Sequence, residues 1–405
     1  MDAIDNPYTP NAGAKPEVLG GRDSEVGSFA TLLKRLEKGR TEQSMIVTGL
    51  RGVGKTVLLN EFRRIADEAH WQVIDFEASK HDNDWFRQTL FAQLRTTLLR
   101  ISPRAKWTER MKEAASALTS FAMSVDQEGT FSLSWDVPPA EGLADNHDLA
   151  LDLTDVLVTV GEAAREHRTG VVILIDEVQF LTVGQLESLI QAIHKTVQRS
   201  LPITFVGAGL PQIAELAGDA KSYAERLFRF PRIGSLEAAD ARHALVEPAR
   251  AEGADFDPDA VDLALEITHG YPYFIQELGY QVWTIATNDQ ITVRDITEAR
   301  AAYDANLDSS FFRVRLDRAT PLQTAYMRAM AELGPEPQKA SDVADLMGRT
   351  SSQVAPVRAE LINMGLLYTP QHGYAAFTVP DFDAFIMRTI PRLEVPETRH
   401  RRRRR

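Results

Sequence analysis

The chain has 405 residues, enough for two or three domains that each bury a core of their own. Its 45 Lys+Arg against 57 Asp+Glu leave a net charge of -12, which opposes non-specific attraction to phosphate polymers, so any nucleic-acid contact has to be local. The absence of Cys excludes disulfides, thiolate metal sites and a cysteine nucleophile. No apolar run reaches the ~18 residues of a membrane helix. The opening "MDAIDNPYTPNAGAKPEVLGG" lacks the basic and apolar regions of a secretion signal, so the expected location is the cytoplasm.

In chain order, residues 1–18 are read as an N-terminal extension and 19–235 as an α/β core. The run Ser44 to Thr48 is short, apolar and partly β-branched, which predicts a buried strand ending at Gly49. Next come Gly49, Gly54, Lys55 and Thr56 in the spacing G-x-x-x-x-G-K-[ST], and then the helical pattern "TVLLNEFRRIADEA". Strand, glycine-rich loop and helix N-terminus are the parts a phosphate cradle needs. The backbone N–H groups of Gly49, Leu50, Arg51, Gly52, Val53, Gly54, Lys55, Thr56 and Val57 are the candidate cradle. Lys55 would neutralise the β/γ-phosphates of ATP, and the Thr56 hydroxyl would ligate Mg²⁺.

"WQVIDFEAS" (Trp71 to Ser79) predicts a strand and about Trp85 to Arg100 a helix. Between about Ser102 and Asp148 the alternation is interrupted by an insertion: a helical segment and "MSVDQEGTFSLSWDV", which reads as a hairpin around Glu128-Gly129. Phe131, Leu133 and Trp135 share one face of that hairpin; they cover a sheet edge or meet a partner, and covering is the favoured reading. "TGVVILIDEVQFL" then puts Val171 to Ile175 in a buried strand that ends in Asp176-Glu177. Asp176 suits the Mg²⁺ shell and Glu177 the orientation or deprotonation of an attacking water, a pairing that argues for hydrolysis rather than binding alone. A helix from about Gly184 to Gln198 and a strand in "LPITFVGAGLP" (Leu201 to Pro211) complete a mostly parallel sheet with helices on both faces.

After Ser235 the strand pattern stops. Residues 236–308 read as amphipathic helices forming a helical lid, and 309–392 as three helices followed by two short strands around His372-Gly373, which is the winged-helix plan. Residues 393–405 close the chain as a basic, disordered tail ending in Arg401 to Arg405.

These segments resemble an AAA+-type P-loop ATPase of the branch that includes origin-recognition-like initiators, archaeal-type ATPases and STAND signalling ATPases. The resemblance runs from about Leu19 to Pro391 and rests on "LGGRDSE", "GLRGVGKT", "LIDEVQ", "VGAGLP", "SYAERLFRF" and "HGYPYFIQELG". It implies that Gly21 and Arg22 lie near the adenine and that Pro272 closes over the nucleotide from the lid. It also implies an arginine finger at Arg226 or Arg229, the alternative being that these form ion pairs at the sheet end; a finger acting in trans requires a homo-oligomer. Two departures stand out. Gly207-Ala208-Gly209 occupies the place where many AAA+ proteins carry a polar sensor, and "GYPYF" supplies no sensor arginine. Both favour a slow, nucleotide-dependent switch over a motor.

The expected target of that switch is DNA or a nucleoprotein assembly reached through the winged helix, the alternative being a STAND-like signalling ATPase that does not bind DNA. In the first case, the helix from Ser351 enters the DNA major groove with Ser352, Gln353 and Arg358 as readers, while Arg349 and the Gln371-His372 tip touch phosphates. In the other, the winged helix packs on the chain itself or on a protein partner. If the tail contributes to DNA binding, deleting Arg401 to Arg405 lowers duplex affinity and flattens its salt dependence in a binding titration.

Overall fold

The computed structural model describes residues 1–123 and 137–396. The hairpin expected around Glu128-Gly129 and the Arg401 to Arg405 tail lie outside the described residues. The described chain divides into two compact units, one comprising Gly20–Gly49 and Gly54–Gly234, the other Met1–Leu19, Leu50–Val53 and Ser235–Arg405.

The first unit is built in the order α1 (Asp23–Glu37), β1 (Ser44–Thr48), α2 (Lys55–Glu68), β2 (Gln72–Glu77), α3 (Asn83–Ile101), α4 (Glu109–Met123), α5 (Leu149–Glu166), β3 (Val171–Asp176), α6 (Val183–Gln198), β4 (Ile203–Gly209), α7 (Ile213–Ala220), α8 (Ala224–Leu227) and β5 (Phe228–Arg229). Its five strands form a parallel sheet in the order β2-β3-β4-β1-β5. Parallel sheets are covered on both faces, which is why β1, β3 and β4 read as unbroken apolar runs rather than as alternating ones. Helix α2 starts without a side-chain cap, from Gly54 in a left-handed conformation, and buries Leu58, Leu59, Phe62 and Ala66 along one stripe. Helix α6 has a full capping box, Thr182 with Gln185, and the Gln185 amide also donates to the carbonyls of His81 and Asp82, which ties the start of α3 to that of α6.

Helix α4, the helical part of the segment expected as an insertion, packs into the core. Helix α4 buries Met111, Ala114, Ala115, Leu118 and Phe121 in the same cluster as α3, α5 and α6. Where these helices meet, the Arg87 guanidinium donates to Asp152 at 2.9 Å and stacks over Phe121. The second Asp152 oxygen accepts from the Asn146 backbone N–H at 2.9 Å.

The second unit continues with α9 (Ala238–Ala251), β6 (Asp255–Phe256), α10 (Pro258–Thr268), α11 (Pro272–Ile285), β7 (Gln290–Ile291) and α12 (Val293–Asn306). Around residue 309 the backbone stays helical, through a π-helical turn at Leu307–Phe312 into α13 (Arg313–Leu316). Next come α14 (Pro321–Leu333), β8 (Gln338–Lys339), α15 (Ala340–Leu346), α16 (Ser351–Asn363), β9 (Leu367–Tyr368), β10 (Tyr374–Phe377) and α17 (Phe382–Thr389). Strands β8, β10 and β9 make a small antiparallel sheet in that order. Among the elements that escaped the sequence reading, β6, β7 and β8 are each only two residues long, and α17 packs its Phe382 and Phe385 against Phe312, a contact distant in sequence. The N-terminal segment is also structural. Tyr8 is 1% exposed and donates its hydroxyl hydrogen to the Leu245 carbonyl, and a Cβ on Gly279 of α11 would lie 2.5 Å from the Tyr8 ring. Among the described residues, no helix is long and apolar enough to cross a membrane.

Asp152 is fully buried, so Asp152→Ala leaves the Arg87 charge in the core without its counter-ion. The expected destabilisation is about 3–5 kcal/mol, read from urea denaturation.

Candidate functional site

Strand order sets the site. β4 lies between β3 and β1, and the register pairs Ile175 with Gly207 and Thr48 with Gly209, so the residues following β1 and β3 leave the sheet at the same edge on either side of β4. That carboxyl edge is where open α/β sheets bind ligands. The Gly49 N–H donates to the Gly209 carbonyl at 3.1 Å, anchoring the loop after β1 to the end of β4.

The described geometry brings the sequence-predicted pair together. Thr56 Oγ1 donates to Asp176 Oδ2 at 2.6 Å. Burial pushes the Asp176 carboxyl above the ordinary range, opposed by the hydrogen bonds from Thr56 and from the Glu177 N–H. Lys55, 6% exposed, sends its Nζ back to the Gly49 carbonyl at 3.0 Å, so the ammonium is folded into the mouth of its own loop. Val57 follows in the first turn of α2. Glu177 sits at φ 52°, a left-handed conformation that a non-glycine residue adopts at a cost and that is frequent at functional turns. Its side chain accepts a hydrogen bond from the Gln179 amide, and Gln179 Oε1 accepts the Leu210 N–H at 3.0 Å.

Arg22 caps the start of α1, 7% exposed, and its guanidinium donates to the carbonyls of Gly234 at 2.8 Å and Gly21 at 3.0 Å. The two finger candidates differ. Arg229, on β5, is engaged by Glu42 at 2.6 Å and Gln43 at 3.3 Å, whereas Arg226, on α8, is exposed and its guanidinium has no hydrogen-bond or ion-pair partner among the described residues.

The second unit contains the rest of the loop. Within it, the Arg51 N–H donates to the Thr378 carbonyl at 3.1 Å, and Arg51 Nε donates to the Gly365 carbonyl at 3.2 Å. The Tyr271 hydroxyl donates to the Arg51 carbonyl, and the Tyr273 N–H to the Gly52 carbonyl at 3.2 Å. Gly52, at φ 85°, has to be glycine: a Cβ would meet Tyr271 at 3.1 Å and Tyr273 at 3.2 Å. Pro272 stands between these tyrosines as the first residue of α11, where its missing N–H costs nothing. Arg315 stacks on Phe311, 4.1 Å from the ring centroid, and Phe311 stacks on Tyr273. Burial, with Arg51 and Arg318 nearby, pulls the Arg315 guanidinium down to about 10. Neither Arg315 nor Gln179 had a role assigned from sequence. Gln179 was visible in "LIDEVQ", whereas Arg315 lies far along the chain from every motif.

The residues fit a nucleoside triphosphate with Mg²⁺. A hydroxyl and a carboxylate in direct contact are the hard oxygen donors that cation takes, and Mg²⁺ characteristically uses one or two protein oxygens together with phosphate and water. The glycine at 54, with φ 92°, turns the backbone into the N-terminus of α2 with no side chain over it.

Sequence and structure comparisons agree with this architecture. A family profile described as an AAA ATPase domain matches residues 18–206, and a second, described as a domain of unknown function (DUF8462), matches residues 309–386. No curated protein matches the chain by sequence. Among solved structures, a Walker-type ATPase of Pyrococcus abyssi is 16% identical, covers 92% of this chain and 97% of its own, and superposes with a TM-score of 0.55. The Aeropyrum pernix Orc1 protein, solved in complex with DNA, is 16% identical over 92% of this chain and 94% of its own, with a TM-score of 0.44. Cdc6p from Pyrobaculum aerophilum is 14% identical over 96% and 98%, also with a TM-score of 0.44. Strands β1 to β3, the glycine-rich loop between β1 and α2 and the acidic end of β3 all fall within residues 18–206, the segment that matches the AAA ATPase domain profile.

Proposed function

We propose that the protein is a slow Mg²⁺-dependent ATPase that works as a nucleotide-occupancy switch, read out by its own C-terminal region, residues 309–392, folded as a winged helix. The observation that carries the switch is the allegiance of the loop tip. Leu50–Val53 belongs to the same compact unit as the C-terminal segments, and Arg51 is bonded to the carbonyls of Gly365 and Thr378, which flank β9 and β10. A loop that holds phosphate at one part of its length and the winged helix at another couples occupancy to the position of that domain.

Mg²⁺, when bound, supplies charge neutralisation at the transferring phosphoryl. Lys55 would leave the Gly49 carbonyl for the β/γ-phosphates, and Thr56 and Asp176 would hold the cation through the oxygens that now bond each other. The glycines and backbone N–H groups from Gly49 to Val57 cradle the phosphates. Glu177 would act on the attacking water. Gly21 and Arg22 would flank the base, and Pro272 would carry the lid's approach to the nucleotide. Of the two arginines, Arg226 fits a finger acting on a neighbouring subunit, because Arg229 is held by Glu42 and Gln43.

The DNA reading draws less support from α16. Gln353 closes a capping box with Thr350, and Arg358 donates to Thr369 Oγ1 at 3.2 Å and to the Tyr374 carbonyl at 2.6 Å. Arg349 donates to the Pro396 carbonyl at 2.5 Å. Ser352 is exposed at the helix start, bonded to Thr350. These side chains serve the fold of the domain, so an intramolecular or protein-facing use is favoured, in a cytoplasmic protein.

Lys55→Ala should abolish ATP binding in calorimetry, and Glu177→Gln should bind ATP while turnover falls by roughly a hundredfold or more. Arg226→Ala should lower kcat by about a thousandfold, and mixing it with Lys55→Ala subunits should restore turnover; Arg229→Ala should change mainly stability. Hydrogen exchange at Gly365 to Thr378 should differ between the ATP- and ADP-bound protein, and Arg51→Ala should remove that difference. Equal exchange in both states overturns the switch, and duplex binding that depends on nucleotide over a salt series restores the DNA reading.

A further inference from the structure

Strand β4 ends in Gly207-Ala208-Gly209, which offers no side chain able to hydrogen-bond, yet a polar group does stand at that edge. Gln179, in the 3-10 turn Val178–Phe180 that follows β3, extends its amide to the end of β4. Its oxygen accepts the Leu210 N–H at 3.0 Å, and its nitrogen donates to Glu177 Oε2. Gly209 makes the room. A Cβ there would lie 2.7 Å from Gln179 Oε1 and 2.9 Å from Val178 Cγ2, and a Cβ on Gly207 would lie 3.0 Å from Val178 Cγ1. The glycines of β4 and the turn after β3 therefore form one packing unit. A side chain at 209 would displace Gln179, and Gln179 stands where a side chain from 209 would have been.

Because a carboxamide is planar, pinning its oxygen to the N–H of Leu210, the buried residue just past the end of β4, fixes the direction of its N–H donors. One of those donors holds an oxygen of Glu177, a residue whose backbone is itself locked in a left-handed turn. A glutamate otherwise samples several rotamers, and only some of them present an oxygen to a water at the phosphate. We propose that Gln179 is the positioning residue for Glu177, supplying from the β3 turn the polar group that β4 lacks and linking the carboxylate's orientation to the end of β4. This rests on the reading of Glu177 as the group that acts on water. Gln179 touches Glu177 rather than the nucleotide, so its effect belongs in turnover and not in affinity.

Two substitutions separate positioning from packing. Gln179→Glu keeps the length of the side chain and the acceptor for Leu210 but brings no amide donor to Glu177; Gln179→Met keeps the volume and does neither. Steady-state ATP hydrolysis, calorimetric ATP affinity and thermal midpoint would be measured for both beside Glu177→Gln. The expected result is a kcat lower by roughly ten- to a hundredfold in both variants, with ATP affinity within about twofold of the parent. Parental kcat in Gln179→Glu overturns the proposal, and so does an affinity loss that matches the loss in kcat. If Gln179→Glu does not fold, the split between kcat and affinity in Gln179→Met decides in the same way. Parental turnover in Glu177→Gln defeats the reading of Glu177 itself. Abolished turnover there alongside unimpaired Gln179 variants defeats only the positioning role.

Discussion

The site depends on how thin the end of β4 is. That strand lies between the two that carry the loop and the acids, and its glycines at 207 and 209 let the turn after β3 fold over its end. With a larger side chain at either position, Val178 and Gln179 would be pushed off the sheet edge, and Asp176 and Glu177 with them. The 2.6 Å bond between Thr56 and Asp176 is the local result: a hydroxyl from the start of α2 meets a carboxylate from the end of β3 across the tip of a strand that takes no space. What reads from the sequence alone as a missing sensor is, in three dimensions, a vacancy filled from a neighbouring strand.

A second constraint acts through the loop tip. Phosphate loops need glycines for the backbone to wrap closely, and Gly52 serves that need while also accommodating Tyr271 and Tyr273. The same four residues are bonded to the C-terminal segments through Arg51, whose backbone and side chain reach different carbonyls. Arg315 lies half-buried on Phe311, and that burial, with Arg51 close by, lowers its affinity for a proton, so cationic groups gather where the loop tip meets its own unit. Positive charge held at a cost in such a place favours an anionic neighbour.

Much of the candidate site was legible in one dimension because its parts are local. Gly49 to Thr56 is a contiguous motif, and Asp176-Glu177 follows an apolar run whose burial on both faces of a parallel sheet is its own signature. The predicted strands correspond to β1, β2, β3 and β4, since continuous Val/Ile/Leu runs admit few other uses. Short elements were less legible: β8 is two residues held by β10, and α17 is specified by aromatic contacts with Phe312. The Arg226 and Arg229 pair shows the same limit. Their spacing in "ERLFRF" could not say which one is held, because the partner of Arg229 is Glu42, nearly two hundred residues earlier in the chain.

The sequence by itself determined the candidates for the chemistry: a glycine-rich loop suited to phosphate, a hydroxyl and a carboxylate suited to a divalent cation, and a second acid suited to water, because each is written in adjacent residues whose backbone geometry follows from glycine and β-branched patterning. Only the tertiary structure decided how those groups are held. Parallel pairing places β4 between β1 and β3, a glycine there admits the Gln179 amide, and Arg51 is claimed by carbonyls more than three hundred residues away. Hydrogen bonds of that kind join groups whose proximity arises from chain folding rather than from spacing, and no local pattern encodes them.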